Sequence, residues 1–300
     1  MTGPRLDPIT TEVISNSFVS TADEMLAALI KSAYSTNIKE RQDCSSVVMD
    51  ANGDVVCIGD ISQPIHISSF MFTGGAILDR YPPNTLRDGD VFMVNDPYSG
   101  GPSHLADVTF VGPVFHQGRF LGFVGNTGHW PDVGGKAPGQ CALGDSTEIF
   151  QEAIRLPPIR IHRAGELNRE VLETVLLNVR DPGSREGDIR AQIGSVHLGI
   201  RRMQELADRH GADVLGLAMD ESHRVSEAKI RHGILQLREG TFQAVDYMDD
   251  DMDSHEPIPM KASITVRHRP DPIISLDRAA PPAGGSTARM RPPRPWSAVC

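Results

Sequence analysis

The chain has 300 residues, with 29 Lys and Arg against 39 Asp and Glu, for a formal net charge of −10. That length is ample for a real hydrophobic core, as one large domain or two modest ones. The acidic balance argues against nucleic acid as the main partner. No apolar run approaches the roughly 20 residues of a membrane span, so no membrane partner is expected. The opening Met1–Pro8 carries no hydrophobic signal segment, which points to a cytoplasmic protein. Four cysteines (Cys44, Cys57, Cys141 and Cys300) lack C-x-x-C spacing and read as free thiols in a reducing compartment.

Residues 10–36 have helical spacing, with Val13, Ile14, Phe18, Ala22, Met25, Leu26, Leu29, Ile30 and Ala33 on one stripe. Residues 46–58 read as a hairpin with Asn52-Gly53 in the turn. A helix is predicted over 68–81, stopped by Pro82-Pro83 and weakened by Gly74-Gly75. A short strand follows at 90–95. Residues 108–116 and 119–127 form a second hairpin around Gln117-Gly118. A Gly-rich loop then leads to a short helix over 147–156, ending before Pro157-Pro158. Helices are predicted over 168–179, 186–209 and 214–237, with a turn at Arg180–Ser184. Hairpin-like residues 241–248 precede the acidic run Asp249–Asp253, which lacks the spacing and Gly of a calcium loop. Helices and strands without regular βαβ alternation favour an α+β fold of mixed antiparallel strands and hairpins with long flanking helices.

Composition changes near Val266. Arg267 to Cys300 hold 6 Arg, no Lys, 2 Asp and 7 of the chain's 22 Pro. This Arg/Pro-rich segment has no hydrophobic period and is expected to be disordered. The expected organisation is therefore a catalytic domain over 1–266 and a tail over 267–300. A natural tail and a shifted reading frame would both look like this.

The chemistry concentrates at the feet of the second hairpin, where His-x-x-Asp occurs twice. The first copy is His104–Asp107 and the second His129–Asp132. With Gln117 and Gly118 as the turn, simple pairing sets 107 opposite 128 and 104 opposite 131, so both doublets lie at one open end. Imidazole nitrogen with carboxylate oxygen suits a hard or borderline divalent ion such as manganese, iron or zinc. The plainer reading is that these residues cap turns and bond backbone amides. Asp96, in Asn95-Asp96-Pro97, could reach the same pocket as a further ligand or general base. Cys44 could be a nucleophile, although Glu40–Ser45 otherwise reads as a helix C-terminal charge cluster. No Walker loop and no G-x-G-x-x-G after a strand is present, so ATP or NAD binding by the chain on its own is unsupported.

These residues taken together resemble the hydantoinase B/oxoprolinase family. The resemblance rests on Asn37–Ser45, on Asn95–Tyr98 with Gly100-Gly101 and His104–Asp107, and on His129 with Asp132–Gly135. It continues through Glu148–Glu152 with Pro157-Pro158, Asn178–Arg180, Gly187-Asp188 and Ala191-Gln192, spanning about residues 8–266. It departs at Trp130, where many relatives carry a second His, at Pro131, and at Ala153 in place of a Gly. Members are generally longer, and their C-terminal half has no counterpart here. The resemblance implies metal-assisted hydrolysis of a cyclic amide of the hydantoin or 5-oxoproline type. A hydantoinase A-type partner subunit would use the ATP. Metal binding carries over onto His104, Asp107, His129 and Asp132, with manganese favoured; in the mechanism expected from these residues, Asp96 or Asp132 would handle protons. Two alternatives accompany this reading: an acetone carboxylase alpha-like subunit acting on a ketone, and a truncated chain that keeps only subunit contacts.

Overall fold

The computed structural model describes residues 6–137, 146, 148–249, 256–270 and 272–278. The chain divides into two compact units, one of residues 1–141 with 152–222, the other of residues 142–151 with 223–300.

The larger unit opens with α1 (Pro8–Ser32). Asp7 caps it by accepting from the Thr10 amide at 3.0 Å, and Pro8 occupies the first turn, where a missing N–H costs nothing. Ile14, Phe18, Ala22, Met25, Leu26 and Leu29 form its buried stripe. The helix stops at Ser32, and a separate short helix, α2 (Thr36–Lys39), follows. Strands β1 (Cys44–Met49) and β2 (Val55–Ile58) form the first hairpin, with Asn52-Gly53 in its turn as expected. Then come α3 (Ile67–Arg80), β3 (Val91–Val94), and the long hairpin of β4 (Asp107–His116) and β5 (Arg119–His129). After β6 (Ile159–Arg163) and β7 (Glu166–Leu167), α4 (Arg169–Leu177) leads to α5 (Pro182–His210). The seven strands make one sheet in the order β2-β1-β5-β4-β3-β6-β7, every pair antiparallel.

Alternation along the strands gives this sheet two different faces. On one, α1 and α5 pack against β1, β4 and β5. Ser46 donates to the Ala22 carbonyl there, and Ser195 of α5 donates to the Met25 carbonyl. On the other face α3 lays Phe70 and Ile77 over Val47, Met49, Phe92, Val111 and Phe123, all buried. The Gly74-Gly75 pair that weakens α3 on paper has a packing reason. A Cβ on Gly74 would sit 2.4 Å from the Gly53 carbonyl oxygen, so the turn of the first hairpin seats against a helix with no side chain in the way.

The β4–β5 register differs from simple pairing by one residue. His116 lies opposite Arg119 and Phe115 opposite Phe120, but Val114 lies opposite Gly122, which leaves Leu121 as an extra residue on β5. This bulge sits beside Gly122, whose φ is +147° and whose Cβ position is 2.3 Å from the Met49 carbonyl oxygen. Below the bulge Asp107 therefore faces His129, and Gly128 faces Val108, not residue 107.

The helix expected over 147–156 is a single 3-10 turn at Ile149–Gln151. Its remainder is recruited elsewhere. The Leu156 carbonyl accepts from the Asn95 and Asp96 amides, and the Leu156 amide donates to Asn95 Oδ1 at 2.7 Å.

The helix α6 (Ala212–Leu235) begins in the larger unit and continues into the smaller one. There β8 (Gly240–Met248), β9 (Ile258–Arg267) and β10 (Ile273–Arg278) form an antiparallel sheet in the order β10-β9-β8. β10 falls inside the segment read as tail, where Ile273 to Leu276 supply strand-forming side chains between the prolines. Residues 279–300, with Cys300, and most of the acidic run lie outside the described residues, as does Cys141. Among the described residues no helix is long and apolar enough to cross a membrane.

Candidate metal centre

The bulge puts Asp107 and His129 directly opposite each other, on the α3 face. A one-residue slip reverses every side chain of a strand, so the simple register would have turned the His129 imidazole away from Asp107. His104 joins from the preceding loop, where the Asp107 amide donates to the His104 carbonyl at 3.3 Å and closes a turn. Asn95, fully buried, fixes that loop by donating to the Leu105 carbonyl at 2.9 Å. Two more residues arrive from distant sequence. Pairing of β1 with β5 sets Cys44 opposite Gly128, and the His129 amide donates to the Asp43 carbonyl at 3.0 Å, which brings in Asp43. His66 comes from the turn that leads into α3.

His129 Nδ1 lies 2.8 Å from Asp107 Oδ1, and His104 Nε2 lies 3.0 Å from Asp107 Oδ2. The two imidazole rings are 5.0 Å apart, centroid to centroid. His104, Asp107 and His129 each present a donor atom such that all lie within 4.8 Å of one another. His66 Nε2 is 3.5 Å from Asp107 Oδ2 and 3.7 Å from Asp43 Oδ1, while Asp43 Oδ2 is 3.9 Å from His129 Nδ1. Asp107, His129 and His66 are buried, whereas the side chains of His104 and Asp43 are 38% and 35% exposed. The cluster is thus closed on the sheet side and accessible past His104 and Asp43.

Burial opposes ionisation of Asp107, but hydrogen bonds from His104 and His129, with the fields of His104 and His66, hold its carboxyl well below the usual carboxylate range. Burial pushes His66 below the usual imidazole range, against the pull of Asp107 and Asp43. A buried carboxylate ringed by three imidazoles, of which burial biases His66 toward its neutral form, is suited to receive added positive charge. That donor set fits a divalent cation, with two nitrogen donors and one or two carboxylates.

The second doublet divides. His129 enters the cluster and Asp132 does not belong to the group. Pro131 lies two residues past the end of β5, and Asp132 then accepts from Arg180, with Nη1 at 2.8 Å from Oδ1 and the Arg180 amide on Oδ2. It also accepts from the Gly134 amide at 3.3 Å. Asp96 is likewise occupied. It is buried, Arg155 Nη2 reaches both of its oxygens at 3.1 and 2.9 Å, and the Tyr98 amide and Ser99 hydroxyl donate to it. Asp96, expected as a further ligand or general base, is held as a turn cap paired with Arg155. Cys44 is fully buried, and burial pushes its thiol up to about 12, which keeps it protonated and unsuited to nucleophilic attack.

The departure at Trp130 lies on the opposite side of the sheet. Trp130 Nε1 donates to Gln192 Oε1 of α5 at 2.8 Å, and its ring packs on Phe110 under the Arg185 guanidinium. A bulky indole in place of a second His therefore leaves the cluster on the α3 face untouched. Asp43 and His66 went unread in the sequence as site residues, because only strand pairing brings them in.

The chain belongs to the hydantoinase B/oxoprolinase family, whose profile matches residues 7–287. It is 33% identical over 256 residues to 5-oxoprolinase of Dictyostelium discoideum, covering 82% of this chain and 20% of that one. The crystal structure of ATP-dependent caprolactamase from Pseudomonas jessenii superposes with a TM-score of 0.82 at 26% identity, over 92% of this chain and 47% of that one. Nucleotide-free acetone carboxylase gives 0.79 at 19% identity, over 92% and 37%, a likeness of fold. The chain spans under half the length of the curated relatives it matches, 43% and 45% for two of them.

Proposed function

We propose that this chain is the B-type subunit of an ATP-dependent enzyme that opens a cyclic amide, and that His104, Asp107 and His129, with Asp43 beside them, hold a divalent cation at its active site. The observation that carries this reading is the convergence of three donors within 4.8 Å around a buried carboxylate. A cation held there would supply Lewis acidity for a ring carbonyl. The chain's own part is positional. Asp107 brings a fixed negative charge, His104 and His129 bracket it from loop and strand, and the β4–β5 ladder keeps Asp107 and His129 opposite each other.

Manganese is the favoured ion, with zinc and iron as the other fits for nitrogen and oxygen donors. ATP would be used by a hydantoinase A-type partner subunit. The name of one relative, the caprolactamase subunit beta of Pseudomonas jessenii, supports a multi-subunit assembly of this kind. Likeness of fold to acetone carboxylase does not choose the substrate, so the assay does. With the partner present, ATP-dependent opening of 5-oxoproline or a hydantoin supports the proposal. Bicarbonate-dependent consumption of a ketone would transfer the chain to the carboxylase reading. Purified protein without stoichiometric metal would leave only a subunit-contact role.

A further inference from the structure

We propose that Ser45 and His66 form a positioning pair for this centre: the Ser45 hydroxyl donates to His66 Nδ1, which fixes the ring with its proton on Nε2, facing Asp107 and Asp43. The proposal rests on the metal-binding reading above and assigns a role to two residues outside the proposed ligand set. Ser45 Oγ lies 2.8 Å from His66 Nδ1, both side chains buried. The Gln63 amide donates to the same Oγ at 2.9 Å, so the hydroxyl proton is left to be given away. Its nearer acceptor is the imidazole, at 2.8 Å, compared with 3.3 Å to the Gln63 carbonyl.

The other edge of the ring makes the same assignment. His66 Nε2 stands 3.5 Å from Asp107 Oδ2 and 3.7 Å from Asp43 Oδ1. A lone pair aimed at two carboxylates would be repelled, whereas an N–H shared between them is attracted to both. His66 does not join the three residues whose donor atoms lie within 4.8 Å of one another. It therefore acts through the carboxylates, restraining their rotation from behind. Outer-shell partners of this kind typically change metal affinity by about 10–100-fold. β1 supplies Ser45, and the turn into α3 supplies His66, so the pair also ties the centre to the helix on its own face.

The test uses the full chain. In metal-free protein labelled with 15N at histidine, His66 should show a protonated Nε2 and an unprotonated Nδ1, a pattern that Ser45→Ala disturbs. Titration with Mn2+ should give about 10–100-fold weaker binding in His66→Ala, with partial recovery in His66→Gln, whose amide restores a donor. Pulsed EPR of bound Mn2+ should count the same imidazole nitrogens in wild type and His66→Ala, and thermal melting confirms that each variant folds. A nitrogen lost in His66→Ala would make His66 a ligand and overturn the proposal, as would affinity unchanged within about twofold. Wild-type protein that takes up no ion would instead end the metal reading, and this proposal with it.

Discussion

At the open end of the β4–β5 hairpin the two faces of one sheet are built from different materials. On the α5 face Gln192 closes a buried amide network. Its Nε2 donates to the Val108 carbonyl at 2.8 Å and to Asn126 Oδ1 at 3.1 Å, its Oε1 accepts from Trp130, and Asn126 donates to its carbonyl. On the α3 face, one residue further along each strand, stand Asp107 and His129, with a carboxylate charge that the imidazoles share and an approach past His104 and Asp43. Neutral groups that satisfy one another fix a core. An ionised carboxylate ringed by imidazole nitrogens, open on one side, is arranged to receive a charge. The likeness of the two doublets in sequence does not predict this, since Asp132 goes to Arg180 and Asp107 to the cluster.

The bulge keeps the two faces sorted, so breaking it should have the largest effect. Gly122→Val places a side chain at φ +147° against the Met49 carbonyl. We expect a loss on the order of 2–4 kcal/mol in chemical denaturation, together with loss of ion binding. Gln192→Leu should cost about 1–3 kcal/mol by leaving the Trp130 and Asn126 groups unsatisfied, while Mn2+ affinity stays within about twofold. Equal damage to ion binding would show that the faces are not independent.

The pH dependence sharpens the same contrast. Asp107 is held below its unfolded value in the folded chain, so its contribution to stability is complete above the ordinary carboxylate range and is lost as the pH falls through that range toward the folded value. Asp107→Asn should flatten this acid limb in metal-free denaturation curves, and a limb unchanged in Asp107→Asn would place the protection elsewhere. The smallest effect belongs to Asp132→Asn. It removes a half-exposed pairing with Arg180 worth at most about 1 kcal/mol and should leave ion binding intact.

Local patterns announced most of the elements. Periodicity marks α1, α5 and α6, Asn52-Gly53 marks the first hairpin, and Gln117-Gly118 marks the second. What the sequence hides is register and non-local pairing. Leu121 reads as one more apolar residue in a strand, and its status as a bulge depends on what Gly122 meets across β1. Asp43 stands far from His129 along the chain, and only the β1–β5 ladder makes them neighbours. The strand β6, with alternating apolar and charged residues just after Pro157-Pro158, carries too short a signal to stand out. Asp96 and Asp132 were legible as chemistry-bearing residues but not as arginine-paired caps, because Arg155 and Arg180 reach them across folded loops.

On the reading proposed above, the first doublet and half of the second grip one cation. Equilibrium dialysis against Mn2+ and Zn2+ tests it most directly, with wild type, His104→Ala, Asp107→Asn, His129→Ala and Asp132→Asn compared under one condition. One ion per chain is expected in wild type and Asp132→Asn, and its loss in the other three. Retention of the ion in Asp107→Asn, or its loss in Asp132→Asn alone, would contradict that reading.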